Sequence, residues 1–317
     1  MDLFITDRLR GIAVGAAVGD ALGMPLEFGL ASPPNEYIRT MRPGRLPAGT
    51  FTDDTEMALA LAESLLAAKG LDKSDLVTRF TDWFRRKPAD VGIHTSSVLH
   101  RISAGETWEE ATSGVQSKDP NSAGNGSVMR CWPAAIAAWH NQKLLLEFSQ
   151  MQSVVTHSHV ECTAGCAFVN DMLFHLVHGK TLYEAYDTAL LEVELPQELH
   201  QAVKLAPHRK REELRNTGWV RHTIESALWG VLNTYEFEEA LVQVINLGAD
   251  ADTAGAVAGA LAGAAYGLDA IPSTWMKALH GEWPLKSGKI WSSNELIHLA
   301  DSLAGSCQTG AGADLIQ

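Results

Sequence analysis

Residues 248–267 read GADADTAGAVAGALAGAAYG, and this stretch decides the fold. Beyond Thr253 it is built of small residues: Gly255, Ala256, Ala258, Gly259, Ala260, Ala262 and Gly263. A helix without bulky side chains lets neighbouring backbones approach closely, so it belongs in the centre of the molecule. Two carboxylates, Asp250 and Asp252, and the Thr253 hydroxyl stand at its mouth. Acids at the mouth of a central helix repel one another unless a cation compensates them.

A matching cluster, Thr52-Asp53-Asp54, lies almost two hundred residues earlier, before the apolar helical run 54–68. Alone, it would be explained by the helix dipole and by capping of free amides. Together the two clusters offer four carboxylates and two hydroxyls. That is a hard oxygen ligand set, which suits magnesium, manganese or calcium and does not suit zinc or copper. If the clusters meet in space, the protein holds one or two divalent cations.

Helical periodicity dominates the rest of the chain. Helices are expected over 8–22, closely packed through Gly11, Gly15 and Gly19, and then over 54–68, 74–86, 95–103, 108–113, 133–139, 144–154, 159–177, 182–190, 197–205, 221–235, 237–247, 253–266 and 293–303. No run of six residues alternates like a strand, and no repeat or linker divides the chain. The expectation is a single, nearly all-α domain over 1–304, with a small, polar, flexible tail over 305–317. A Pro/Gly-rich loop over 24–49 is long enough to suggest a functional role, and the charged segment 206–217 is expected to be exposed.

The chain has 317 residues, 46% of them apolar, and a formal charge of −13 from 25 basic and 38 acidic residues. That balance argues against nucleic acid or an anionic membrane as the main partner, yet leaves room for a nucleotide held by backbone amides. Cys131, Cys162, Cys166 and Cys307 show no zinc-knuckle spacing and read as buried thiols in a reducing cytosol. Met1-Asp2-Leu3-Phe4 lacks the basic start of a signal peptide. The apolar run 254–267 is too short to span a bilayer. A soluble, cytoplasmic, monomeric protein is expected.

Four further elements carry chemistry. Gly124-Asn125-Gly126-Ser127-Val128-Met129-Arg130 has the glycines to turn its amides to one side, with a helix expected to begin near Ser127 or Val128, as in an anion nest for a diphosphate. Thr156-His157-Ser158-His159 precedes a helix and suits either a cap or a phosphate contact. Glu27 begins the Pro/Gly loop, where a carboxylate on a lid closes over metal and substrate. Asp90-Val91-Gly92 lies in a loop after Pro88 and, by itself, reads as a turn.

Taken in order, GDALGMPLEF, GTFTDDTEMALALAESL, DVGIHTSS, GNGSVMR, THSH and GADADTAGAVAGALAGAAYG resemble the ADP-ribosylglycohydrolase family over roughly residues 8–275. The resemblance implies an all-α, orthogonal helical domain with a dinuclear Mg²⁺ or Mn²⁺ site in a central cleft. It implies release of ADP-ribose from a modified protein side chain, with arginine the acceptor expected from bacterial members. By motif position, Thr52, Asp53, Asp54, Asp250, Asp252 and Thr253 are the implied metal ligands. Glu27 is the implied lid carboxylate, and Asp54 or Glu27 the group that takes a proton from water. Asp90 is implied near the ribose and leaving group. Gly92, Gly124, Asn125, Gly126, Ser127 and Met129 are implied around ribose and diphosphate, and His157 on the phosphate side. Ala249 stands where many members carry glycine. Two alternatives remain open: a non-catalytic ADP-ribose- or partner-binding protein on the same scaffold, and a hydrolase of a small conjugate such as O-acetyl-ADP-ribose.

Overall fold

The computed structural model describes residues 2–306. In chain order the helices are α1 (Leu3–Gly23), α2 (Asp53–Ala68), α3 (Lys73–Arg85), α4 (Ile93–Ser103), α5 (Trp108–Gln116), α6 (Trp132–Ala137), α7 (Gln142–Val154), α8 (Val160–Val177), α9 (Leu182–Glu192), α10 (Gln197–Leu205), α11 (Val220–Leu232), α12 (Phe237–Ile245), α13 (Ala251–Tyr266), α14 (Ser273–Ala278) and α15 (Ser293–Ser306).

The fold is organised on α1 and α13, which lie antiparallel with their backbones in contact. Gly11 faces Gly263, Gly15 faces Gly259, Gly19 faces Gly255 and Gly23 faces Ala251. A Cβ added at Gly15 would fall 2.3 Å from the Gly259 carbonyl oxygen, and one at Gly259 would fall 2.0 Å from that of Gly15. The four-residue spacing keeps every small residue on one face of each helix, so the pair meets without side chains between. Leu9, Ile12, Val14 and Val18 of α1, with Val257 and Leu261 of α13, are buried in the surrounding core. Segment 3–26 is long and apolar enough to cross a membrane by length and composition, and 83% of its most apolar window is buried inside the protein.

This pairing brings the C-terminal end of α1, and Glu27 just beyond it, to the N-terminus of α13. Asp20 of α1 then fixes α2. Its wholly buried carboxylate accepts the backbone N–H of Thr52 (2.9 Å) and of Thr55 (3.2 Å), and both threonine hydroxyls (2.9 and 2.6 Å). Thr52 occupies the N-cap position of α2, but its side chain does not cap; a carboxylate from another helix satisfies those amides. The starts of α2 and α13 therefore come together at one end of α1.

Several expectations are corrected. Strands β1 (His280–Glu282) and β2 (Ile290–Ser292) form an antiparallel hairpin that the sequence reading missed, because three residues each are too few to show alternation. The hairpin braces the approach to α2: Phe51 N–H donates to the His280 carbonyl (3.1 Å) and His280 N–H to that of Gly49 (2.8 Å). Helix α14 was also missed; it holds six residues. No helix begins at Ser127 or Val128. The N–H groups of Val128 and Met129 both close onto the Asn125 carbonyl in a turn, and α6 begins at Trp132. Within segment 206–217, Ala206, Pro207 and Asn216 are buried. Gly305 and Ser306 finish α15, and the remaining tail residues lie outside those described. Cys131, Cys162 and Cys166 are buried free thiols, as expected, and Cys307 lies outside the described residues.

Candidate active site

The two acidic clusters meet. Thr253 Oγ1 donates to Asp54 Oδ2 across 3.4 Å, and Thr52 Oγ1 reaches the same oxygen at 3.4 Å. Asp53, Asp54, Asp250, Asp252 and Thr253 line one side of a cleft of about 910 Å³, together with Glu27, Asp90, Gly92, Gly124, Asn125, Gly126, Met129 and His157. Thr52 and Ser127 do not line it. Thr52 lies beneath the floor, bonded to Asp20 and Asp54. The Ser127 hydroxyl is wholly buried against Ser153 Oγ (2.9 Å) and Cys166 Sγ (3.4 Å), where it braces the loop.

Neither α2 nor α13 is capped by the side chain at its own N-cap position, although Asp252 Oδ1, in the first turn of α13, accepts the Thr253 N–H at 2.9 Å. Asp250 sits at the N-cap position of α13, but its Oδ2 accepts from Asn125 Nδ2 at 2.7 Å. Asp54 Oδ1 is buried and accepts no hydrogen bond. An unpartnered carboxylate oxygen in this setting costs about 1–3 kcal/mol or more. Burial, and then mutual repulsion among the carboxylates, raises Asp53, Asp54 and Asp252 well above the usual carboxylate range. Asp250 is raised by burial against the opposing bond from Asn125. Desolvation lifts Asp20 to about 6 despite its four donors, and lifts Glu56, bonded to Trp83 Nε1 at 2.7 Å, to about 7.

These shifts carry a sign. A carboxyl whose folded pKa exceeds its unfolded value adds stability below the unfolded pKa and loses it as pH rises through the folded one. Without metal, the protein is therefore expected to melt several degrees lower at pH 8 than at pH 5. Added Mg²⁺ or Mn²⁺ is expected to raise the melting temperature more at pH 8 than at pH 5. Calorimetry in chelator and in metal checks both; a metal-free melting temperature that rises across this window would refute the assignment of these buried acids.

One cationic side chain enters the cluster, and the sequence reading missed it. Arg45, from the Pro/Gly loop, places Nη2 against Glu27 and Asp90 and 3.3 Å from Asp252 Oδ2. Burial opposes its charge, but Asp90, Glu27 and Asp252 overcome this and hold the guanidinium above its ordinary pKa. Glu27, Asp90 and Asp252 each offer an oxygen within 4.8 Å of the others. Burial raises the Glu27 carboxyl pKa against the opposing contacts with Arg45. Asp90, which read as a turn residue in isolation, thus belongs to the acidic end of the cleft.

Backbone pairing holds the segment after Glu27 beside the start of α13. Phe28 N–H donates to the Ala249 carbonyl (2.6 Å) and Ala249 N–H to that of Gly29 (2.9 Å). Ala249 has φ +54°, a left-handed conformation that costs a non-glycine residue about 1–2 kcal/mol. Asn216 locks the same turn: its Nδ2 donates to the Gly248 carbonyl (2.6 Å), and its carbonyl accepts Asp250 N–H (2.9 Å).

The 124–126 loop also lines the cleft and adjoins the acidic cluster through the Asn125–Asp250 bond. It is pinned to 218–220 by Asn125 N–H to the Gly218 carbonyl (3.0 Å) and Val220 N–H to that of Ala123 (2.8 Å). Gly126 is needed sterically, whereas a Cβ at Gly124 would reach only ordinary van der Waals contact. A Cβ at Gly126 would stand 2.9 Å from His157 Cε1, and one at Gly124 would stand 3.4 Å from His157 Nε2. Arg130, fully buried, sets the His157 tautomer. Its Nη2 donates to Thr156 Oγ1 (2.7 Å), which lies 2.8 Å from His157 Nδ1; this favours the tautomer with the proton on Nε2, because only then does the Thr156 hydroxyl proton find an acceptor. Burial, with His94 and Arg130 nearby, holds His157 well below the ordinary imidazole pKa. His159 separates from His157 in role: its Nδ1 accepts Glu161 N–H and caps α8. Arg130 stacks on Phe80 at 4.3 Å and is lowered by burial to about 10, so it stays charged.

Asp20, Arg45, Asn216 and the Thr156–Arg130 relay are the contributors that sequence reasoning missed. Only Asp20 carried a local signal, as a charged residue inside a glycine-packed helix.

Known proteins resemble this chain in sequence and fold over nearly its full length. Residues 1–312 match the family described as ADP-ribosylglycohydrolase. An ADP-ribosyl-[dinitrogen reductase] glycohydrolase of Rhodospirillum rubrum is 35% identical over 282 residues, covering 87% of this chain and 91% of that protein. An ADP-ribosylarginine hydrolase of Serratia proteamaculans is 33% identical over 285 residues, covering 86% of this chain and 75% of that protein. A solved structure titled ADP-ribosylglycohydrolase-related protein complex superposes with a TM-score of 0.79 at 34% identity, covering 96% of this chain and 99% of that one. With the acidic clusters joined at the cleft floor and the match running over nearly its whole length, the chain belongs to the ADP-ribosylglycohydrolase family.

Proposed function

We propose that this protein is a metal-dependent hydrolase that releases ADP-ribose from mono-ADP-ribosylated arginine side chains. The observation that carries this reading is the contact of Thr253 with Asp54, which makes one oxygen-rich site of two distant clusters. The names of the bacterial relatives support the substrate class. Arg45 supports the acceptor: Glu27, Asp90 and Asp252 already accommodate a guanidinium, and an acceptor arginine would compete for the same carboxylates.

The donor set fits a hard divalent cation. All donors are oxygen, and buried Asp54 Oδ1 lacks any partner. Asp53, Asp54, Asp250, Asp252 and Thr253, which line the cleft, would hold two ions, Mg²⁺ or Mn²⁺, with Thr52 Oγ1 behind them at 3.4 Å from Asp54 Oδ2. Bound there, the ions supply positive charge and Lewis acidity toward the ribose hydroxyls. His157 Nε2–H and the pinned 124–126 loop receive the diphosphate side. Carboxylate charge near the anomeric carbon stabilises an oxocarbenium-like transition state. Glu27, whose pKa is raised, or Asp54 takes the proton from the attacking water. Asp90 orients the departing guanidine.

The test is release of ADP-ribose from an ADP-ribosyl-arginine protein with Mg²⁺ or Mn²⁺, and its loss in chelator. Metal analysis is expected to find two Mg²⁺ or Mn²⁺ ions per chain in the cleft. ADP-ribosyl-serine peptide and O-acetyl-ADP-ribose are included as competitors. No release from arginine by metal-loaded protein would overturn the proposal, and preferred turnover of O-acetyl-ADP-ribose would move it to the small conjugate.

A further inference from the structure

A second cluster of ligand-type side chains lies on α8 and α9, away from the cleft. Asp171 and His175 are four residues apart on α8 and share one face. Glu192 ends α9, and Gln142 opens α7. Asp171 lies eleven residues beyond Val160, about 16 Å along the helix from its start near His157.

One oxygen of each carboxylate and one nitrogen of the imidazole all lie within 4.8 Å of one another. His175 Nε2 is 3.1 Å from Glu192 Oε2 and 3.4 Å from Asp171 Oδ2. Tetrahedral zinc, with bonds of roughly 2.0–2.1 Å, sets adjacent donor atoms about 3.3 Å apart. Both separations match that edge.

Hydrogen bonding inside the cluster is incomplete. The Asp171 side chain is wholly buried. Its Oδ1 accepts from Gln142 Nε2 at 2.8 Å, while its Oδ2 accepts no hydrogen bond. His175 Nε2, which also stands 3.5 Å from Gln142 Nε2, has at most one proton to give; spent on Glu192 Oε2 at 3.1 Å, it leaves Asp171 Oδ2 unpartnered. A cation at the focus satisfies that oxygen. Gln142 Nε2 also donates to Glu192 Oε2 at 2.7 Å, so one amide orients both acids as an outer partner. The nearby cation, Lys180, donates to Thr188 Oγ1 at 2.7 Å.

We propose that Asp171, His175 and Glu192 form a structural transition-metal site, with zinc the fitting ion, that ties α8 to α9. One nitrogen and two carboxylates are a borderline donor set, unlike the all-oxygen set in the cleft.

Full-length Asp53→Ala/Asp252→Ala protein, with the cleft ligands disabled, is titrated with Zn²⁺ by calorimetry and with Co²⁺ by visible absorption. The expected result is a single high-affinity ion per chain, a Co²⁺ ligand-field band, and a melting temperature that rises with zinc. Adding His175→Gln is expected to weaken binding about 100-fold or more and remove the band. Glu192→Gln, at a half-exposed position that tolerates change, is expected to weaken it in the same sense without altering the far-UV circular dichroism. Zinc uptake that is absent, or equal in all three proteins, would overturn the proposal and leave an imidazolium–carboxylate ion pair.

Discussion

Asp252→Ala is expected to lower kcat/KM for ADP-ribosyl-arginine at least about 1000-fold, equivalent to about 4 kcal/mol of transition-state stabilisation, while leaving the metal-free fold as stable as wild type or more so. The two halves of this expectation have different causes. Asp252 is 2% exposed, and burial followed by repulsion from Asp54, Asp250 and Glu27 raises its pKa. Removing it relieves a desolvated, repelling charge, which favours the metal-free state. The same removal takes one donor from the proposed cation site and one of the three carboxylates around the guanidinium. The melting-temperature rise that metal gives to wild type is expected to disappear in the variant. Steady-state kinetics with calorimetry, with and without Mn²⁺, separates the cases. Turnover within tenfold of wild type would remove Asp252 from the catalytic site, and a collapsed metal-free fold would make its role structural.

The second large effect lies where α1 meets α13. Gly19→Ala is expected to cost more than about 4 kcal/mol or to prevent folding. An added Cβ would fall 1.9 Å from the Gly255 carbonyl oxygen and 2.4 Å from its carbonyl carbon. Neither atom is the tip of a flexible side chain, so relief requires the two central helices to separate. Separation would open the core on both sides and move Glu27 away from Asp252. A matched control is Gly305→Ala in α15: that glycine is exposed with nothing within 4 Å of an added Cβ, and alanine there is expected to be neutral or to stabilise by up to about 1 kcal/mol. Urea unfolding of the two variants decides the matter. Near-wild-type stability of Gly19→Ala would mean that the helices do not need backbone contact.

Legibility varied with the range of the interactions. The helices announced themselves through local periodicity, and fourteen of the expected segments correspond to observed helices. The exceptions were short: the β1–β2 hairpin, α14 and the turn at Ser127, all held by contacts with distant chain. The acidic clusters were legible because their composition violates what a central helix mouth tolerates. His157 and His159, two residues apart in sequence and alike in type, could not be told apart until Arg130 and Thr156 were placed beside one of them and the N-terminus of α8 beneath the other.

By itself the sequence determined the helical class, the glycine spacing that makes α1 and α13 mutually compatible, and the hard-oxygen chemistry of Asp53, Asp54, Asp250 and Asp252, because residue type and short-range spacing suffice for each. Only the tertiary structure decided that Asp20 caps α2, that Arg45 reaches the acidic end of the cleft, that Ser127 braces the loop from behind, and that Asp171, His175 and Glu192 converge. Hydrogen bonds and ion pairs act over a few ångströms of space whatever the separation along the chain, so their partners become known only when the helices are packed.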